Sequence, residues 1–393
     1  MIGVKEILTA HTAGIKIMQK TEVDDLKLER LVLYNFKNYA DAELVFEHPI
    51  VCLLGNNGSG KTNLLDAIHY LSVTKSFFNL IDSQNILRDF DQCSIQGEFK
   101  KNNEPETILC SIRKGQKKIV KKNFKEYEKL SDHIGQIPSV IVTPYDIELI
   151  WEGSEMRRKF LDSTISQQSK KYLDNLVQYN HALAQRNNLL KQFSQRGGYD
   201  PLLLEPWDYR LITHGNVIHE ARKSFALDFT STFETIYDHI SNGKEKPGAA
   251  YLSELNQKPL EQLLTETREK DRMLERTTAG IHRDDLDFTL DGHSLKKMAS
   301  QGQQKSFLIA LKLAQHHFIA EHLKLAPILM LDDLFDKVDE SRVHQILSWL
   351  QNYVKAQIFI TDTHLQRIPD MLKSMNFDHE VWKISDASVE KIG

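Results

Sequence analysis

The chain has 393 residues, 41% hydrophobic and 26% charged, with a formal net charge of −4. That balance supports a sizeable core and argues against a protein that coats nucleic acid through its whole surface, so a polyanion would have to be met by a local basic patch. No run approaches the roughly eighteen apolar residues of a membrane span, and Lys5, Glu6, His11 and Lys16 interrupt any signal-peptide core, so no membrane is expected and the cytoplasm is the expected compartment.

Residues 1–25 have no convincing period and precede the first clear strand. They read as an extension, either mobile or the product of an upstream start codon, with no assigned function. From Leu26 to about Asp146 the pattern is strand-rich. Leu28, Leu31, Leu33 and Phe36 open it, Ile50 to Leu54 forms a buried apolar run, and Asn63 to Leu71 reads as a helix. Ile108 to Tyr127, bent at Lys114-Gly115, reads as a hairpin, and Ser139 to Val142 as another buried strand. From about Gly153 to Thr278 the period turns helical, with Phe160, Ile165, Tyr172, Leu176, Tyr179 and Leu183 at three-and-four spacing. From 286 onward α/β character returns: Leu286, Phe288 and Leu290 alternate up to Asp291-Gly292, a helix follows Ser300, and Ile328 to Leu331 and Ile358 to Ile360 are apolar strands. The expected organisation is an α/β lobe from 26–152 and 279–393, interrupted by a helical arm at 153–278. Cys52, Cys93 and Cys110 show no C-x-x-C or other metal-ligand spacing and read as buried small side chains.

Three motifs carry chemistry. GNNGSGKT at 55–62 fits G-x-x-x-x-G-K-[ST] after a buried strand and before a helix. Gly55, Gly58 and Gly60 let the backbone of Asn56, Asn57 and Ser59 curl so that successive N–H groups face one triphosphate. Lys61 is expected at the β- and γ-phosphates of ATP, and Thr62 at Mg²⁺. The run PILMLDDLFDKVD at 327–339 reads as a buried strand ending in Asp332, a second magnesium-side residue, followed by Asp333 as the candidate base for water. Ser300, Gly302 and Gln303 open an amphipathic helix and resemble the LSGGQ signature of ABC ATPases, with Ser300 as N-cap. One chain does not need two sites for one γ-phosphate. In the ABC arrangement the signature of one subunit completes the site of the other, and Asp339, matching the D-loop, lies at the same seam.

The resemblance sharpens on LVLYNFKNYADAEL at 31–44, GSEMRRKFLD at 153–162, AGIHRDDL at 279–286, ASQGQQKS at 299–306 and LMLDDLFDKVDE at 329–340, in that order. The sequence resembles the RecF family. That resemblance implies an ABC-type P-loop ATPase head like that of SMC proteins, with a short helical arm in place of a long coiled coil. It also implies an ATP-dependent homodimer on double-stranded and gapped DNA, acting with RecR to help RecA load, with slow DNA-stimulated ATP hydrolysis.

Some positions depart from the general ABC pattern. Asp333 stands where Glu is usual, a shorter carboxylate suited to a slow timer. Val142-Thr143-Pro144-Tyr145-Asp146 has no Q-loop glutamine, which leaves Asp146 as a candidate. The switch residue is Asp362 or His364 depending on which threonine is aligned, with His364 preferred. DNA contact is expected at Arg113, Lys114, Lys117, Lys118, Lys121 and Lys122, where a hairpin would gather the charge; a solvated lysine-rich hairpin is the alternative. Arg157, Arg158 and Arg283 are further candidates that can equally form internal ion pairs. Three other classes fit the sequence less well: a transporter subunit, which normally has a smaller helical insert; an SMC-type tether, which needs longer heptad arms; and a metal nuclease, for which Asp284-Asp285 alone is too little.

Overall fold

A computed structural model describes residues 23–79, 81–196, 198–335 and 338–393. Most of the expected extension, residues 1–22, lies outside the described residues, as do Asp336 and Lys337 of the acidic-strand motif.

Two sheets sandwich the helix that follows the glycine loop. The first is antiparallel. It contains β1 (Leu26–Phe36), β2 (Tyr39–Val45), β4 (Gln92–Lys101), β5 (Glu104–Arg113), β6 (Ile119–Lys122) and β7 (Lys125–Glu126) in the order β2-β1-β4-β5-β6-β7. The uneven spacing of Leu28 and Leu31 is explained by a register shift against β4 between Leu28 and Arg30, which keeps both side chains inside. The second sheet holds β3 (Ile50–Leu54), β8 (Ser139–Val142), β12 (Ile328–Leu331), β13 (Ile358–Asp362), β14 (His379–Ser385) and β15 (Ser388–Lys391), ordered β15-β14-β3-β13-β12-β8. Every pairing in it is parallel except β14 with β15. All residues of β3, β8, β12 and β13 are buried, as a parallel sheet covered on both faces requires.

Alternation along these strands sends side chains into two cores. Val51, Leu53, Ile328 and Met330 join the core around the helix Lys61–Val73 and the first sheet. Cys52, Leu54, Leu329 and Leu331 join the other, around the helix Gln301–Leu323 and the arm. The two motif-bearing helices therefore pack on opposite faces of one sheet. All three cysteines are buried and free.

The arm is an antiparallel helix pair, Lys170–Arg196 and Glu205–Ser241, reached through Ser154–Gln168. Leu211, Gly215, Ile218, Phe225, Phe229 and Phe233 make the buried stripe of the long helix at three-and-four spacing. A Cβ on Gly215 would meet Leu260 Cδ2 at 2.7 Å and the Tyr179 ring at 3.1 Å, so glycine lets these side chains pack close to the helix backbone. Buried arginines tie the arm together. Arg186 pairs with Asp208 and Asp271, and Arg222 with Asp162 and Asp284. The stretch read as helical also contains a strand, β9 (Pro247–Leu252). It pairs with β10 (Asp285–Leu290), which turns through Asp291 and Gly292 into β11 (His293–Ser294). Half-exposed and only 6 residues long, β9 leaves no clear period in the sequence.

Candidate functional site

The glycine loop leaves the end of β3 and enters its helix through Gly60 at φ 115°. Gly58 takes a φ of 78°, which favours glycine, and close approach restricts the other two glycines. A Cβ on Gly55 would lie 2.1 Å from the Ile384 carbonyl oxygen, and one on Gly60 would lie 2.6 Å from the Tyr39 hydroxyl at a φ that L side chains avoid. The turn between β1 and β2 thus presses on the loop. Asn38 in that turn accepts a hydrogen bond from the Asn63 amide at 2.7 Å, and Lys37 pairs with buried Asp66 at 2.5 Å. Among the described residues, the buried hydroxyls of Tyr39 and Ser59 have no hydrogen-bond partner. Burial raises the Tyr39 phenol well above its ordinary value.

Lys61 is buried and donates to the Gly55 and Asn56 carbonyls at 2.6 and 2.9 Å. Burial pulls its ammonium below the ordinary value, opposed first by Asp333 and then by Asp332 and Asp362. Thr62 donates to both Asp332 carboxylate oxygens at 3.0 Å, bringing together two candidate magnesium ligands 270 residues apart in sequence. Burial pushes the Asp332 carboxyl up, while hydrogen bonds from Thr361 and Thr62 oppose the rise. Thr361 donates to Asp332 at 2.8 Å and accepts from the Asp333 amide at 2.8 Å. Asp333 follows with φ 48°, a left-handed conformation that a short polar side chain tolerates. Thr62, Asn63, Phe78, Tyr145, Asp332 and Asp333 line one cleft of about 730 Å³.

These residues fit a magnesium triphosphate. The loop admits no side chain at Gly55 or Gly60, two buried hydroxyls beside it await partners, and the Thr62 and Asp332 oxygens are hard donors of the kind Mg²⁺ takes.

No signature residue lines the cleft. Ser300 caps its helix: its Oγ accepts from the Gln303 amide at 3.3 Å, and Gln303 Oε1 accepts from the Ser300 amide at 2.7 Å. Gly302 has open space where a Cβ would stand. Asp339 caps the helix Glu340–Tyr353, accepting from the Arg342 amide at 2.9 Å.

Other expectations meet a different geometry. Asp146 spends one oxygen on the Thr143 amide, at 2.7 Å, and the other on Lys312, also at 2.7 Å, so it braces its turn rather than offering a Q-loop side chain to the cleft. His364 is exposed after β13, its amide donating to buried Asp362 at 2.8 Å; neither residue lines the cleft. The hairpin forms, with β5 and β6 paired from Ile108↔Lys122 to Ser111↔Ile119. Its charges diverge. Arg113 and Lys117 are exposed and Lys121 half-buried, whereas Lys114 pairs with Asp91 at 3.3 Å and Lys122 with Glu106 at 2.8 Å. Lys118 turns inward to the Thr74 carbonyl at 2.5 Å and Asp82 at 3.0 Å, a structural use in place of the expected DNA contact. Arg157 forms a two-point pair with Asp285, and Asp284 takes Arg222, so that acidic pair is committed to ion pairs.

Asn38, Tyr39 and Thr361 have no role that the sequence assigns, although Asn38 and Tyr39 lie in the run 31–44 that carries the family resemblance. Thr361 left one faint signal, a hydroxyl residue near the end of an otherwise apolar strand.

Residues 27–383 match the RecF/RecN/SMC N-terminal domain family. The chain is similar to the DNA replication and repair protein RecF of Parabacteroides distasonis, 45% identical over 92% of this chain and 98% of that one. It is also similar to RecF of Flavobacterium johnsoniae, 46% identical over 91% of this chain and 99% of that one. A solved structure of the recombination mediator protein RecF-ATP in the RecFOR pathway superposes with a TM-score of 0.84 at 30% identity, covering 94% of this chain and 99% of the other. An SMC head from Pyrococcus furiosus, 16% identical with a TM-score of 0.54 over 93% of this chain and 96% of that one, shares the fold.

Proposed function

The chain belongs to the RecF family, and we propose that it is an ATP-gated homodimer acting on duplex DNA, near single-strand gaps, in recombinational repair and replication. The observation carrying this reading is that one chain holds two anion-suited helix starts on helices packed against opposite faces of a sheet. Two copies can supply what one does not: the P-loop, Thr62 and Asp332 of one subunit, and Ser300, Gly302, Gln303 and Asp339 of the other. Met298, 71% exposed beside the signature, offers such a second copy an apolar contact.

In this reading residues 26–152 and 279–393 form the ATPase lobe and 153–278 the arm. Lys61 and the loop amides hold the β- and γ-phosphates, and Thr62 and Asp332 hold magnesium, which supplies charge neutralisation there. Asp333 orients and deprotonates water, slowly because Asp reaches less far than Glu. His364, after β13, serves as the switch histidine. Cytoplasmic action is supported by the repair role of the named relatives; among the described residues no helix is long and apolar enough to cross a membrane. RecR as partner, and help in RecA loading, are supported by the likeness to RecF of the RecFOR pathway.

Light scattering with ATP, with ADP and without nucleotide, each with and without duplex DNA, tests the proposal. The parent should dimerise with ATP, while Ser300→Arg should bind ATP as a monomer and not dimerise. An unchanged dimer fraction in Ser300→Arg would remove the two-fold clamp.

A further inference from the structure

The signature and the Asp339 segment are joined through a carboxylate that belongs to neither. Glu245 stands in the loop after the long arm helix, beyond its left-handed cap Asn242, with a side chain 12% exposed. Its Oε1 accepts from Gln303 Nε2 at 3.1 Å and from Arg342 Nη2 at 3.1 Å. Its Oε2 accepts from the Tyr237 hydroxyl, on the arm helix itself, at 2.5 Å.

Each of these partners continues into a motif. The Gln303 amide is committed at both ends, since its Oε1 accepts from the Ser300 amide at 2.7 Å. Arg342 pairs through Nε with Asp339 at 3.3 Å and donates from Nη1 to Ser306 Oγ at 2.7 Å. Ser306 in turn donates to the Gly302 carbonyl at 3.0 Å. A surface ion pair kept only for stability needs one cation. This carboxylate instead orients an amide and a guanidinium from two separate motifs, and is itself oriented from a third element.

We infer that Glu245 is a positioning residue. It holds Gln303 and Arg342 so that Ser300, Gly302 and Asp339 present one preset face to the partner's nucleotide, and it does so from the base of the arm. Displacement of the arm helix is thereby transmitted to the clamp through Tyr237 and Glu245. This deepens the proposed function and rests on its two-fold clamp.

Glu245→Ala should lower the thermal midpoint, since the buried Tyr237 hydroxyl loses its acceptor, yet leave the ATP affinity of the monomer, measured with a fluorescent ATP analogue, close to the parent's. The protein concentration for half-maximal dimer in ATP should rise about tenfold, within the range of coupling changes for residues that touch neither ligand. Glu245→Gln keeps the volume and an acceptor oxygen but loses charge against Arg342; about a threefold rise is expected for it, and it serves if the alanine variant does not fold. Dimerisation at the parent's concentration in both variants overturns the inference, as does a monomer ATP affinity that falls by the same factor as dimerisation. Failure of the parent itself to dimerise with ATP removes the clamp first, and the role of Glu245 with it.

Discussion

Thr361 holds Asp332 in place: its hydroxyl donates to the carboxylate at 2.8 Å and, on the same oxygen, accepts the amide of the neighbouring Asp333 at 2.8 Å. One hydroxyl on β13 therefore sets both acidic residues at the end of β12.

Thr361→Val keeps the shape and removes both bonds, taking an acceptor from the part-buried Asp333 amide and one of the donors from the buried Asp332 carboxylate, which keeps Thr62. Loss of this kind costs about 1–3 kcal/mol. The magnesium concentration for half-maximal nucleotide binding should rise about tenfold, and Thr361→Ser should restore it. A titration showing no change in Thr361→Val would reduce this residue to packing.

The two carboxylates should separate by stage. Asp332→Asn removes charge next to Thr62 and should weaken Mg·ATP binding and dimerisation together. Asp333→Asn should still bind ATP and dimerise, with hydrolysis slowed by about 10²–10⁴ and a longer residence on duplex DNA. The measurement is the dissociation rate from DNA in Mg·ATP. Were Asp333→Asn to leave as fast as the parent with hydrolysis abolished, hydrolysis would not open the clamp.

The basic hairpin should divide in the same manner. Lys117→Ala and Lys121→Ala should each make the plot of log affinity against log salt shallower by about 0.9 if they neutralise phosphates. Lys118→Ala should leave that slope unchanged and lower the unfolding midpoint, because its ammonium serves Thr74 and Asp82 inside the fold. Equal slopes for all three and the parent would return the hairpin to a solvated surface.

Buried histidines give a pH signature. Burial lowers His69, His282 and His316 to about 4, from an ordinary value of 6.5. The unfolded chain takes up protons near 6.5 and the native chain only near 4, so between these values protonation favours unfolding. Stability should be level above about pH 6.5 and fall as the pH drops toward 4. His316 bonds the Pro327 carbonyl at 2.9 Å, and His316→Asn should flatten part of that fall in urea denaturation run at pH 7 and pH 5. An unaltered pH profile would place the sensitivity elsewhere.

The central strands and the glycine loop were legible because their signals are local. Ile50 to Leu54 and Ile328 to Leu331 are unbroken apolar runs, and a fully buried parallel strand needs no more than that. The half-exposed β9 was not legible, since an edge strand with Pro247 and Gly248 carries no period. The partners of Asp146 and Lys118 were not legible for a related reason: a charged residue in a turn or hairpin looks solvent-facing until the packed neighbour that pairs with it is known.

By itself the sequence determined the order of motifs, the loop that can curl around a phosphate, the two helix starts and the family, because each depends on residue types within one turn or strand. Tertiary structure alone decided which distant groups meet. Tyr39 against Gly60, Thr361 on Asp332 and Glu245 between Gln303 and Arg342 join residues far apart in the chain. Side-chain partners of that kind are set by how sheets and helices stack, and stacking is fixed only when the whole core closes.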